Sequence, residues 1–173
     1  TSVVDADECQ DGIIADGSYS RKRGRVCLVM TADCVPILLC DRRGDQVAAV
    51  HAGWKGLSRG IISCAVSLFR DPSQVLVYLG PAIGADAYEV DEHVRRVFLD
   101  VVDERNYGDR LSQAFKPKKN RFTLDLRELA KIQFSQLGVH SVYGDDRCTF
   151  SDEKSFFSYK RDTITGPNAS MIW

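Results

Sequence analysis

The sequence predicts a single α+β domain over residues 1–173, with mixed β-sheets and flanking helices. Three observations carry that expectation. Short apolar runs bounded by turn residues recur along the chain and read as buried strands. Two longer stretches have helical spacing and end on helix-stop signals. The two kinds of element alternate without the regular strand–helix–strand rhythm of a parallel sheet. A chain of 173 residues is long enough for one substantial core and short for two.

Taken in order, Thr1–Ala6 reads as a strand and residues 11–20 as turn-rich. Arg21, Lys22, Arg23 and Arg25 make a compact basic loop before the next apolar run. The organising stretch is 26–56. Runs Val26–Met30 and Val35–Cys40 flank a polar step, Thr31-Ala32-Asp33-Cys34, and Arg42–Asp45 forms a hairpin loop leading to Gln46–Val50. The third run ends on His51 and opens into Ala52-Gly53-Trp54-Lys55-Gly56. Leu57–Phe69 carries helical spacing and stops at Asp71-Pro72. Val75–Leu79 is a buried strand that runs into a glycine-bounded loop, Gly80–Gly84. Asp91–Val102 is a helix, and 103–120 a polar, mobile excursion. Phe122–Leu124 is a short strand. Asp125 caps a helix over Leu126–Leu137 that Gly138 closes, and Val139–Tyr143 is a strand. Residues 144–173 are dense in polar and aromatic side chains.

Composition excludes several classes. Hydrophobic residues make up 44% and charged residues 27%, with a net charge of −1, so no overall field draws nucleic acid or an anionic membrane. No apolar run has the length of a membrane span, and the first residues lack the basic and apolar parts of a signal peptide, which points to the cytoplasm. The six cysteines form no paired framework and no CxxC, so the expectation is free thiols rather than a disulfide scaffold, and no zinc ribbon.

The chemistry concentrates at Cys34 and His51. Cys34 sits in a polar gap between two apolar strands, and His51 ends the following strand before a glycine turn. A Cys and a His at such positions serve as nucleophile and base, or as two ligands of a soft tetrahedral metal site such as zinc. Spacing leaves both readings open. Trp54 offers a stacking ring or a core residue, and Lys55 an anion-binding ammonium. Arg147, Lys160 and Arg161 are candidates for phosphate or carboxylate recognition, set against ion pairs with Asp145, Asp146 or Asp162. His93 and His140 read as surface residues.

The motifs TADCVPILL, HAGWKG, LGPAIG, YEV, DRCT and FFSYKRD…TG resemble one known family, in order and across almost the whole chain. That family was first named for multicopper polyphenol oxidases (laccases). Its members are now described as purine nucleoside phosphorylases with adenosine deaminase side activity and, in bacteria, as peptidoglycan-editing factors. The resemblance implies an α+β fold similar to a Cys–His toxin deamidase domain. It implies a zinc site of two His and one Cys, with Cys34 and His51 matching two of the ligands. The other His belongs to a Gln-Val-His-Gly motif preceding a strand similar to Thr1–Ala6, so the expectation is that this chain begins just after it. Two departures stand out: Lys55 replaces the family's usual Arg, and Pro167 replaces a basic residue. The function so implied is phosphorolysis of purine nucleosides, with Lys55, Arg147, Lys160 and Arg161 orienting phosphate. For adenosine deamination, Asp33 is the candidate proton acceptor. The alternatives are a Cys34–His51 hydrolase or amidase of peptidoglycan precursors, a non-catalytic metal- or nucleoside-binding module, and a copper-dependent polyphenol oxidase. The last needs many His ligands, and the chain has three.

Overall fold

The computed structural model describes residues 1–9, 12–100 and 107–173. The first half holds β1 (Val3–Asp5), β2 (Gly17–Ser20), β3 (Cys27–Thr31), β4 (Val35–Asp41) and β5 (Val47–Ala52). Helices α1 (Trp54–Ser58) and α2 (Ile61–Val66) follow, then β6 (Val75–Leu79) and β7 (Glu89–Val90). The second half holds α3 (Glu92–Asp100), α4 (Tyr107–Ala114), β8 (Phe115–Lys118), β9 (Arg121–Leu124) and α5 (Leu126–Gln136). Strand β10 (Ser141–Gly144), helix α6 (Tyr159–Asp162) and strand β11 (Asn168–Ile172) complete it.

A six-stranded mixed sheet in the order β1-β2-β5-β4-β6-β10 forms the frame. Its centre is the antiparallel β5-β4-β6 array, and its two edges, β1 and β10, pair in parallel with their neighbours. Alternation along each strand decides what covers each face. Ile37 and Leu39 of β4, Val50 of β5 and Val77 of β6 join a large core with Leu57, Ile61, Leu129 and Phe134 from α1, α2 and α5. Each such side chain, fully buried, contributes about 1.5–3 kcal/mol. The intervening residues Leu38, Val47 and Ala49 form a smaller cluster with Cys27 and Val29 of β3 and Ile172 of β11. The antiparallel β3–β11 ribbon thus covers the other face. All six cysteines are free. Among the described residues no helix is long and apolar enough to cross a membrane.

Most expected elements are present; β2, β7, α6 and β11 are elements the sequence does not announce, and four expectations differ. The helix expected over Leu57–Phe69 starts earlier, at Trp54, and splits into α1 and α2 because Gly60 takes a left-handed conformation at φ +78°. The expected buried strand Val26–Met30 is half exposed: Cys27 and Val29 point inward while Leu28 and Met30 face out. The excursion expected over 103–120 is instead structured from Tyr107 onward. There α4 and β8 bury Leu111, Ala114 and Phe115, and β8 pairs with β9. The helix expected over Asp91–Val102 runs Glu92–Asp100, and the last two positions, like 103–106, lie outside the described residues. The cap on α5 is as expected: the Asp125 carboxylate accepts from the N–H groups of Arg127 and Glu128, worth about 1 kcal/mol.

Candidate functional site

The start of β4 and the ends of β5, β6 and β10 lie at one end of the sheet, because Val35 pairs with Ala52, Ile37 with Leu79, and Gly144 with Leu79. The polar step before β4 and the glycine turn after β5 therefore meet there. Pro36 pairs with His51, and one step beyond the ladder Cys34 faces Gly53. A Cβ placed on Gly53 would come 2.7 Å from the Cys34 Sγ and 4.0 Å from the His51 Nε2. Gly53 has an ordinary extended backbone (φ −85°, ψ 172°), so what requires glycine here is space. Thiol and imidazole border one spot, and glycine keeps it open.

Both groups are neutral near pH 7. Burial, reinforced by the neighbouring Asp33 carboxylate, pushes the Cys34 thiol up to about 11. Burial holds the His51 imidazole below its ordinary value, partly opposed by Asp16. A neutral imidazole and a thiol that releases its proton to solvent on binding a metal are two ligand types of zinc.

Asp33 is 7% exposed and adopts φ +89°, unusual for a non-glycine residue. Its Oδ1 accepts from the Thr149 hydroxyl at 2.7 Å and its Oδ2 from the backbone N–H of Lys160 at 2.7 Å. Its carbonyl accepts from the Ile83 N–H at 2.9 Å. Two distant segments, the 80–84 loop and the 149–160 stretch, are thereby tied to the Cys34 turn.

The four candidate cations divide into two kinds. Arg147 is bound to Asp145 through its Nε at 2.9 Å and through its terminal nitrogen, and stacks on Phe156 at 5.0 Å. Arg161 donates to the carbonyls of Thr149, Phe150 and Phe156 and to Asp162. Both guanidiniums hold the 145–162 segment together. Lys55 and Lys160 have exposed side chains; the Lys55 Nζ lies 5.7 Å from the Trp54 ring centre. The Lys160 charge is felt at Glu89, whose carboxyl is held low chiefly by its bond to Lys118.

Two further residues belong to this end and escaped sequence reasoning, although the YEV and DRCT motifs contained them. Tyr88 is half-buried, and its phenol is pushed up to about 12 by burial and then by the nearby Cys34 and Asp33. Cys148 receives the Gly84 N–H on its sulfur at 3.1 Å and the Ser151 hydroxyl at 3.5 Å. Burial works to raise this thiol, but these donors and the N–H groups of Ser151 and Phe150 outweigh it and bring it below its ordinary value. His93 and His140 are exposed, as expected. Among the described residues no group of three His, Cys, Asp or Glu gathers where a metal would sit. The donors at Cys34 and His51 fit zinc in type but stop at two, where zinc normally takes three or more from protein.

The family model described as multi-copper polyphenol oxidoreductase laccase matches residues 1–173. The chain is 46% identical over 160 residues to purine nucleoside phosphorylase YfiH of Escherichia coli (strain K12), covering 92% of this chain and 63% of that protein. It is 43% identical over 175 residues to a purine nucleoside phosphorylase of Pseudomonas aeruginosa, covering 99% and 69%. A solved structure of a Neisseria meningitidis protein superposes with a TM-score of 0.91 at 41% identity, covering 99% of this chain and 70% of that one. The chain thus spans 63% of the length of the Escherichia coli relative.

Proposed function

We propose, from the premise that the chain belongs to the multi-copper polyphenol oxidoreductase laccase family, that residues 1–173 form the core of a purine nucleoside phosphorylase. In the reaction assigned, phosphate attacks the ribose carbon that bears the base and the glycosidic bond breaks. The purine leaves with its electron pair and takes up a proton, giving free base and ribose 1-phosphate. One observation carries the reading: the Cys34 thiol and the His51 imidazole border one glycine-cleared spot, in a chain 46% identical to a protein of that name. We assign Cys34 and His51 as zinc ligands, completed by a donor from outside these residues. The chain's own contribution is positioning and charge. Lys55 and Lys160, the cations not committed to internal bonds, meet the phosphate, while Arg147 and Arg161 hold the segment that presents Lys160.

The rival readings draw less support. A Cys34–His51 hydrolase needs a thiolate, and a buried thiol near 11 beside a neutral imidazole supplies very little. Deamination of adenosine through Asp33 as proton acceptor would compete with two hydrogen bonds its carboxylate already accepts. Multicopper chemistry needs many imidazoles, and two of the three histidines here stand exposed on the surface.

The test is elemental analysis and nucleoside turnover on the full-length protein containing these residues. The expected result is about one zinc per chain, lost in Cys34→Ala and His51→Ala, with inosine and phosphate giving hypoxanthine and ribose 1-phosphate. No zinc, or turnover indifferent to phosphate, overturns the reading.

A further inference from the structure

We propose that Asp33 is a positioning residue: its buried carboxylate buckles the 149–160 arm onto the Cys34 turn and sets Lys160 beside the site as the cation that meets the anionic substrate. The identity of that anion as phosphate rests on the phosphorylase reading; the buckle itself does not.

The hydrogen bonds define the device. Asp33 lies 116 residues from Thr149 and 127 from Lys160 in the chain, and one carboxylate oxygen takes each of them at 2.7 Å. Thr149 is fully buried, and its N–H donates to the Ala82 carbonyl at 3.1 Å, which fixes the near end of the arm to the 80–84 loop. Arg161 then staples the arm internally, reaching back to the Thr149 and Phe150 carbonyls at 2.8 and 3.1 Å. Lys160 is bound through its backbone alone among the hydrogen bonds of the described residues, so its ammonium remains exposed while its Cα is held. The positive φ at Asp33 turns the chain so that its carboxylate faces the arm while the next residue, Cys34, faces Gly53. A carboxylate with both oxygens accepting bonds from buried or backbone donors is an acceptor hub. Its geometry serves placement of neighbours rather than removal of a substrate proton.

The experiment is a set of variants in the full-length protein, read by steady-state kinetics and by amide hydrogen exchange. Asp33→Asn keeps an oxygen for the Lys160 N–H and offers an NH2 that the rotatable Thr149 hydroxyl can accept. Its expected phosphate KM and kcat lie within about threefold of the parent, with an unchanged pH profile. Asp33→Ala raises the phosphate KM about tenfold or more, with a much smaller change in kcat, and Lys160→Met does the same. The double variant Asp33→Ala/Lys160→Met is no worse than either single, because both remove one placed charge. If Asp33→Ala does not fold, Thr149→Val releases one of the two anchors and raises the phosphate KM about threefold. Loss of kcat in Asp33→Asn together with one limb of the pH profile assigns proton transfer to Asp33 and overturns the proposal. Additive effects in the double variant, or an unchanged KM in Thr149→Val, overturn it equally. If the parent protein shows no phosphate-dependent turnover, the phosphorylase reading fails, and hydrogen exchange still decides the buckle. Protection of the Lys160 amide must survive in Asp33→Asn and be lost in Asp33→Ala or fall in Thr149→Val; retained protection in both overturns it.

Discussion

Cys34 and Cys148 stand at the same end of the sheet, on turns linked through Asp33 and Thr149, and their surroundings act in opposite directions. Cys34 is enclosed and faces a carboxylate neighbour, so its thiol is pushed up to about 11. Cys148 is also half-buried, but N–H and O–H donors aimed at its sulfur bring its thiol below the ordinary value despite burial. Burial alone therefore does not make a thiol inert or reactive; what decides is whether donors or acceptors complete its shell. Cys34 is held neutral near pH 7. The donors around Cys148 favour its ionised form.

The Cys34 side is most sensitive at Gly53. A methyl group there would overlap the Cys34 sulfur at 2.7 Å and crowd the His51 Nε2. Gly53→Ala is expected to abolish zinc retention and to cut nucleoside turnover by more than about a hundredfold, since sub-ångström placement is lost. Full zinc content in purified Gly53→Ala protein would show that the spot between thiol and imidazole is not where the metal binds.

A second effect separates the two thiols directly. At pH 7 a thiol near 11 is about one part in ten thousand thiolate, whereas the Cys148 thiol, drawn below its ordinary value by the donors around it, is the more ionised of the two. Iodoacetamide on metal-free protein should therefore modify Cys148 faster than Cys34, with peptide mapping separating both from the exposed Cys9. Rapid thiol labelling of this protein is for that reason no sign of a Cys34 nucleophile. Preferential modification of Cys34 would reverse the comparison and revive the hydrolase reading.

How much of this the sequence disclosed depends on whether a signal was local. The β4–β5 hairpin, the Asp125-capped helix and the placing of Cys34 and His51 at the same end of neighbouring strands follow from alternation, turn residues and caps within short windows. The split between α1 and α2 turned on one backbone angle at Gly60, and helical spacing ran through it unchanged. The same holds for the cations. Lys55, Arg147, Lys160 and Arg161 look alike as letters, and only three-dimensional partners divide them into committed and free. Asp33 adjoins Cys34 in the sequence, yet its carboxylate bonds reach residues more than a hundred positions away. Tyr88 and Cys148 belong to the YEV and DRCT motifs, but nothing in their neighbouring residues marks the phenol as near Cys34 or the thiol as cradled by N–H groups.

Tyr88 gives the smallest expected effect and the finest probe of the Cys34 side. Its phenol, pushed up to about 12 by burial and then by Cys34 and Asp33, remains a neutral hydrogen-bond donor throughout the working range. Among the described residues no hydrogen bond is made by its hydroxyl, while its carbonyl accepts from the Leu124 N–H at 3.0 Å and fixes the backbone. Tyr88→Phe removes the hydroxyl and keeps the ring that packs against the core. With no internal bond broken, the melting temperature should not move. If the hydroxyl bonds the nucleoside, the variant loses one neutral hydrogen bond, about 1 kcal/mol, and KM for inosine rises about fivefold with kcat nearly unchanged. Because the phenol titrates only near 12, that ratio should stay flat between about pH 6 and 9. A ratio that changes with pH in that range would place an ionising partner on the hydroxyl. A lower melting temperature with unchanged KM would make it a structural donor, leaving recognition of the base to Trp54 and the glycine-bounded loops.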